Sequence, residues 1–160
     1  MGHHFTTTAL ASACLALLLQ ITSVSGHVSP SAPHASLPTP RTALVLGYST
    51  YFGGESTDAI EDIAIDDGGN IYVVGQTFSS NLKVEHPIQT FAQIGTEQYG
   101  NAFVAKITRD GSHIVYSTYL GGRKVERGMS IAVDRAGFAY VTGTTKSKDF
   151  PTKWSLSTSR

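Results

Sequence analysis

Cysteine is almost missing from this 160-residue sequence, and its one occurrence, Cys14, lies in an apolar run near the N-terminus. Without that segment the chain has no thiol, which excludes disulfides and thiolate metal sites and leaves packing and strand pairing to supply stability. Net charge is absent too, with 12 Lys and Arg against 12 Asp and Glu, so the basic footprint of a nucleic-acid binder is missing. Histidine is scarce, and past position 42 only His86 and His113 remain to serve a nucleophile–base pair. The glycine pairs Gly53-Gly54 and Gly121-Gly122 lack a Walker lysine, a GxGxxG pattern and a following helix, so they read as turns rather than a phosphate cradle. No stretch has the period of a long helix.

What is present begins with the run ALASACLALLLQI from Ala9 to Ile21, the length of a signal-peptide core and short for a bilayer span. The small residues 22–26 follow it, so residues 1–25 read as a cleavable export signal, although MGHHFTTT before the core has no Lys or Arg. Met1-Gly2 fits a myristoylation pattern, Cys14 could be a lipid-modified cysteine and the run could be an uncleaved anchor; each is a lesser alternative. Residues 26–42, rich in Ser, Pro and Ala, read as an extended linker.

The remainder, 43–160, is repetitive. Tyr48-Ser-Thr-Tyr-Phe-Gly-Gly54 returns 68 residues later as Tyr116-Ser-Thr-Tyr-Leu-Gly-Gly122, and aligning 48–77 with 116–145 gives 14 identities in 30 positions. The paired positions include Tyr48/Tyr116, Tyr51/Tyr119, Gly53/Gly121, Gly54/Gly122, Asp66/Asp134, Gly69/Gly137 and Gly75/Gly143. Alternation with period two predicts strands at 44–52, 59–66, 70–77, 101–108 and 112–120, and a further pair within 129–145, largely apolar or small on both faces as in sheets stacked between sheets. Asp67-Gly68-Gly69-Asn70 and Arg109-Asp110-Gly111-Ser112 predict tight hairpin turns.

Four antiparallel strands per repeat is the content of a propeller blade. The segments NAFVAKITRDGSHIV, YSTYLGG and SIAVDRAGFAYVTGTTKSKDFPT closely resemble the SBBP family of β-propeller repeats, whose name refers to a seven-bladed propeller, over about 44–154. IAIDDGGNIYVVG is similar, less specifically, to NHL-type propeller repeats. One departure is Asn81-Leu82-Lys83-Val84, where the second copy has the more typical Asp149-Phe150-Pro151-Thr152. The resemblance implies an all-β fold with one complete blade, 59–120, flanked by the last strand of a preceding blade (44–52) and the first two of a following one (129–145), the repeat copies themselves lying at about 44–77 and 112–145. Such an array leaves sheet faces open, so we expect a piece of a larger, about seven-bladed propeller, or self-association that buries them.

The residues singled out carry structural expectations. Asp66 and Asp134, equivalent by repeat, are expected to stabilise turns; the tyrosine pairs to pack between blades; Asp58 and Glu126 to be loop acids without distinct signal. His86, Phe91 and Tyr99 fall in a long loop, about 78–100, where function tends to sit. Asp66, Asp67 and Asn70 lack the spacing of a calcium loop. No catalytic, cofactor-binding or metal-ligating residue is assigned. The expected role is a non-enzymatic secreted or cell-surface module, possible in a periplasm, that binds an unknown protein or glycan, with no nucleic-acid partner and no membrane span after cleavage. The alternative is a secreted propeller lyase or glycosidase whose catalytic residues lie in other blades.

Overall fold

The computed structural model describes residues 14–22, 43–90, 92, 100–153 and 155–156. Eight strands make up the regular structure: β1 (Cys14–Thr22), β2 (Ala43–Phe52), β3 (Asp58–Ile65), β4 (Ile71–Thr77), β5 (Asn101–Ile107), β6 (Ile114–Leu120), β7 (Glu126–Val133) and β8 (Ala139–Thr145). No helix occurs among the described residues. The strands form three antiparallel sheets, β1–β2, β3–β4–β5–β6 and β7–β8.

The central sheet is the complete blade, and its four strands lie within a residue or two of the predicted ones. The ends shift because Asp66 and Thr108 leave the ladder to bond their own turns: Gly69 N–H donates to Asp66 O at 2.8 Å and Gly111 N–H to Thr108 O at 2.8 Å. Gly69 and Gly111 take φ of +83° and +71°, the left-handed region that a glycine enters without a Cβ clash. β7 begins at Glu126, three residues before the predicted start, because its ladder with β8 already pairs Glu126 with Thr145 and Gly128 with Gly143.

Both faces of the middle strands β4 and β5 are buried, which explains why they alternate so little in polarity. On one face Ile71, Val73, Phe103, Ala105, Ile107 and Tyr119 pack with Phe52 of β2 and Leu82 of the following loop, the Phe52 and Phe103 rings 5.4 Å apart. On the other, Tyr72, Val74 and Val104 pack with Ile131 of β7, flanked by Val133, Ala139 and Val141. β-Branched and aromatic side chains at every second position thus seal the blade between its neighbours.

β1 coincides with the apolar run read as a signal core. Such a run meets the pairing needs of a strand as readily as those of an export signal, and here it lies antiparallel on β2. The expectations for residues 1–13 and 23–42 lie outside the described residues.

Candidate interaction surface

The repeat residues build two kinds of joint. The first is the hairpin hub. Asp66 Oδ1 accepts Asn70 N–H at 2.8 Å, while its Oδ2 lies 3.1 Å from the Tyr72 hydroxyl and 3.3 Å from Lys106 Nζ. Asp134 repeats the design, accepting N–H groups of Ala136 and Phe138 at 2.9 Å each and the Tyr140 hydroxyl at 3.0 Å. Asn70's bonds hold the Asp66 carboxyl well below the ordinary carboxylate range, and the Phe138 amide lowers Asp134. These oxygens are committed to turn amides and a tyrosine. Gly137, at φ +84°, closes the second turn as Gly69 does the first.

The second joint corrects the reading of Asp58 and Glu126 as loop acids. Both begin strands, both are buried, and they stand 68 positions apart, so they are one repeat position. Asp58 Oδ2 accepts Gly54 N–H at 2.8 Å and Ser79 Oγ–H at 2.9 Å. Glu126 Oε2 accepts Gly122 N–H at 3.1 Å and an Asn101 Nδ2–H at 3.0 Å, and its Oε1 accepts the Thr145 hydroxyl at 2.8 Å. A Cβ on Gly53 or Gly121 would press on these carboxylates, and one on Gly54 or Gly122 on Ser79 or Ser147, so the glycine pairs are where strand ends approach the acids. The 68-residue spacing was the signal available for this joint; the Asp-for-Glu change hid it.

Gly75 and Gly143 sit opposite β-bulges in β3 and β7, where a Cβ would collide with the carbonyl oxygens of Ala59 and Arg127. Three of the four motif tyrosines are at least half-buried. Tyr119 receives Leu82 N–H at 2.7 Å and donates to Ser79 O at 3.0 Å, Tyr116 meets Tyr72 edge-on at 6.4 Å, and Tyr48 packs against the β2-side core. Tyr51 differs, being 71% exposed.

With this geometry in view, two segments, 47–83 and 115–151, match the SBBP beta-propeller repeat. The chain carries two SBBP β-propeller repeats. Each matched SBBP segment runs from the outer strand of one blade into the inner hairpin of the next, so a blade draws on both segments and the stretch between them. No curated protein matches this sequence.

Two surfaces of the SBBP array are shaped for contact. Residues 82–90 do not wave free: Glu85 pairs with Ser117 across the outer edge of β6, Ser117 Oγ–H donates to Lys83 O at 2.6 Å, and Thr118 Oγ1 receives the N–H groups of Ile88 and Gln89 at 3.1 and 2.9 Å. So anchored, the loop covers a strand edge and displays Ile88, 82% exposed, beside His86, whose Nδ1 lies 3.2 Å from Val115 O. Phe91 and Tyr99, singled out in the same loop, lie outside the described side chains. His113 is exposed beside Ser112, 2.6 Å from a hydroxyl that Asp110 Oδ1 also holds at 2.7 Å, a cluster that ties the exposed turn together. The second surface is an apolar groove of about 600 Å³ between β6 and β8, lined by Ile88, Val104, Val115, Tyr116, Phe138 and Val141 among others. No group of three or more His, Cys, Asp or Glu gathers to hold a metal among the described residues.

Proposed function

We propose that this chain is a non-enzymatic SBBP scaffold, exported to the cell surface or beyond, that binds a protein or glycan partner through the loop 82–90 and its surroundings. The observation that carries the reading is the rigid display of that loop: it is fastened along β6 by backbone and hydroxyl bonds, yet turns Ile88 and His86 outward. A loop ordered before binding loses little entropy on contact. The acids recurring in both copies support the same reading, since their bonded oxygens face turn amides and hydroxyls rather than a cleft. Export rests on the N-terminal apolar run.

The test expresses the full chain in its own host, recovers it from envelope or medium, and applies it to an array of immobilised extracellular glycans, with a photo-cross-linker at Val115 to trap protein contacts. The expected result is retention or cross-linking that falls about tenfold in a His86→Ala, Ile88→Asp variant of unchanged melting temperature. Turnover of an arrayed glycan, retention indifferent to the variant, or a product confined to the cytosol contradicts the proposal.

A further inference from the structure

We propose that the two loops flanking the β7–β8 hairpin, 121–125 and 146–149, bind an anionic polysaccharide through Arg123, Lys124, Lys146 and Lys148. This surface is separate from loop 82–90, so the inference goes beyond the binding proposed there.

The first argument is that one loop frame is built twice. In the first copy Glu55 N–H donates to Asn81 Oδ1 at 2.9 Å, Ser56 N–H to Ser79 Oγ at 2.9 Å and Phe78 N–H to Thr57 O at 2.9 Å. In the second, 68 positions on, Arg123 N–H donates to Asp149 Oδ1 at 3.2 Å, Lys124 N–H to Ser147 Oγ at 2.7 Å and Lys146 N–H to Val125 O at 2.9 Å. The bonds coincide one for one, and the buried acids Asp58 and Glu126 receive the glycine amide that leads into each frame. The backbone is therefore fixed, and what varies is the set of side chains it displays.

The second argument is the charge of that set. The first frame carries Glu55, Ser56, Phe78 and Ser80; the second carries Arg123, Lys124, Lys146 and Lys148 at the same positions, all four exposed. Four of the 12 basic residues thus gather on two short loops of a chain without net charge. Asp149, the one acid in the two loops, has its Oδ2 3.7 Å from Arg123 Nε and offsets a single cation. At positions 55 and 80 the first copy joins an acid to a hydroxyl, Ser80 Oγ–H donating to Glu55 Oε1 at 2.7 Å. The second copy sets Arg123 and Lys148 at this touching pair of positions. Two cations there repel unless an anion lies between them, and the Arg123 side chain, 84% exposed, presents a planar fork suited to a carboxylate or sulfate.

The exposure belongs to the frame. The first frame is followed by a whole blade and part of another, yet Glu55 and Ser80 stay exposed. Strands that follow β8 in the same arrangement leave the second frame open as well.

The chemistry of the patch selects its occupant. No large apolar side chain is exposed on the two loops. A protein partner takes a desolvated apolar or aromatic centre, a single-stranded nucleic acid takes aromatic platforms, and a membrane surface takes apolar side chains that enter it. A polysaccharide bearing repeated carboxylates or sulfates asks only for spaced cations, and its many weak exposed contacts add along one chain.

The experiment applies the purified full chain to immobilised polygalacturonate and dextran sulfate, which separate carboxylate from sulfate chemistry, with neutral dextran as the control. Retention is expected on at least one polyanion and not on dextran, weakening about tenfold as salt rises from about 0.01 to 0.15 M and the Debye length shrinks. Arg123→Glu with Lys148→Ser, which installs the first copy's residues on the shared frame, should weaken retention about tenfold at unchanged melting temperature. Lys124→Ser, alone, should weaken it severalfold. No retention on either polyanion, equal retention on dextran, indifference to either variant, or tighter binding to phosphatidylglycerol vesicles, polyglutamate or duplex DNA overturns the proposal. His86→Ala with Ile88→Asp should leave polyanion retention unchanged, so failure of this patch and failure of loop 82–90 are read separately.

Discussion

A carboxylate that accepts several N–H and O–H bonds is easier to keep ionised than to protonate, and this chain repeats that arrangement. Asp66 is lowered first by Asn70, Asp110 by the Thr108 hydroxyl, Asp134 by the Phe138 amide and Asp62 by the Ser130 hydroxyl. Depressed folded values mean that their stabilisation is complete above the unfolded carboxylate value of about 4 and is lost as pH falls through the folded values. Tyr116 and Tyr119 are raised by burial, so their contribution is present below about pH 10 and lost above it. The expected urea midpoint is flat from about pH 5 to 9 and falls on both sides; a midpoint that rises as pH drops below 4 would contradict these networks. The hub at Asp66 and Asp134 was open to sequence reasoning because both copies use the same residue beside a turn glycine. The joint at Asp58 and Glu126 was not, since its partners Ser79 and Asn101 come from 21 and 25 residues away and burial leaves no local trace. The exposure of Tyr51 was equally hidden, because the motif is shared with buried Tyr119 and only tertiary packing separates them.

At the scale of elements, alternation and turn chemistry were enough to locate the strands, because β4 and β5 combine β-branched residues with glycine turns of fixed sign of φ. The bulges escaped, since an extra residue in β3 or β7 does not interrupt the apolar pattern. Gly75 records the bulge: the β3 backbone passes so close that a side chain there meets the Ala59 carbonyl and the Phe103 ring. Gly75→Ala is therefore expected to destabilise the blade by about 1–3 kcal/mol, the range of an overpacked core, read as a lower urea midpoint. A neutral substitution would show that β3 does not approach β4 in this way. The apolar run at Cys14–Thr22 exposes the limit of pattern reading most clearly, because a signal core and a sheet strand accept the same residues.

Across the whole molecule, the middle strands β4 and β5 of the central blade are covered on both faces, whereas β7–β8 keeps one face open with Met129 and Tyr140 exposed. Blades of this kind are stabilised by their neighbours, so protection should be graded from the middle outward. Neighbouring sheets are also cross-linked: Arg127 reaches Glu61 at 2.7 Å, and Asp62 accepts Ser130 Oγ–H and Ile131 N–H at 2.7 and 2.9 Å. The central claim, a sandwiched blade serving as a rigid scaffold, is tested most directly by native-state amide hydrogen exchange at low protein concentration. The account predicts that β4 and β5 exchange last and β8 well before them; equal protection of β8 with β4 and β5, or fast exchange throughout β4 and β5, would contradict it.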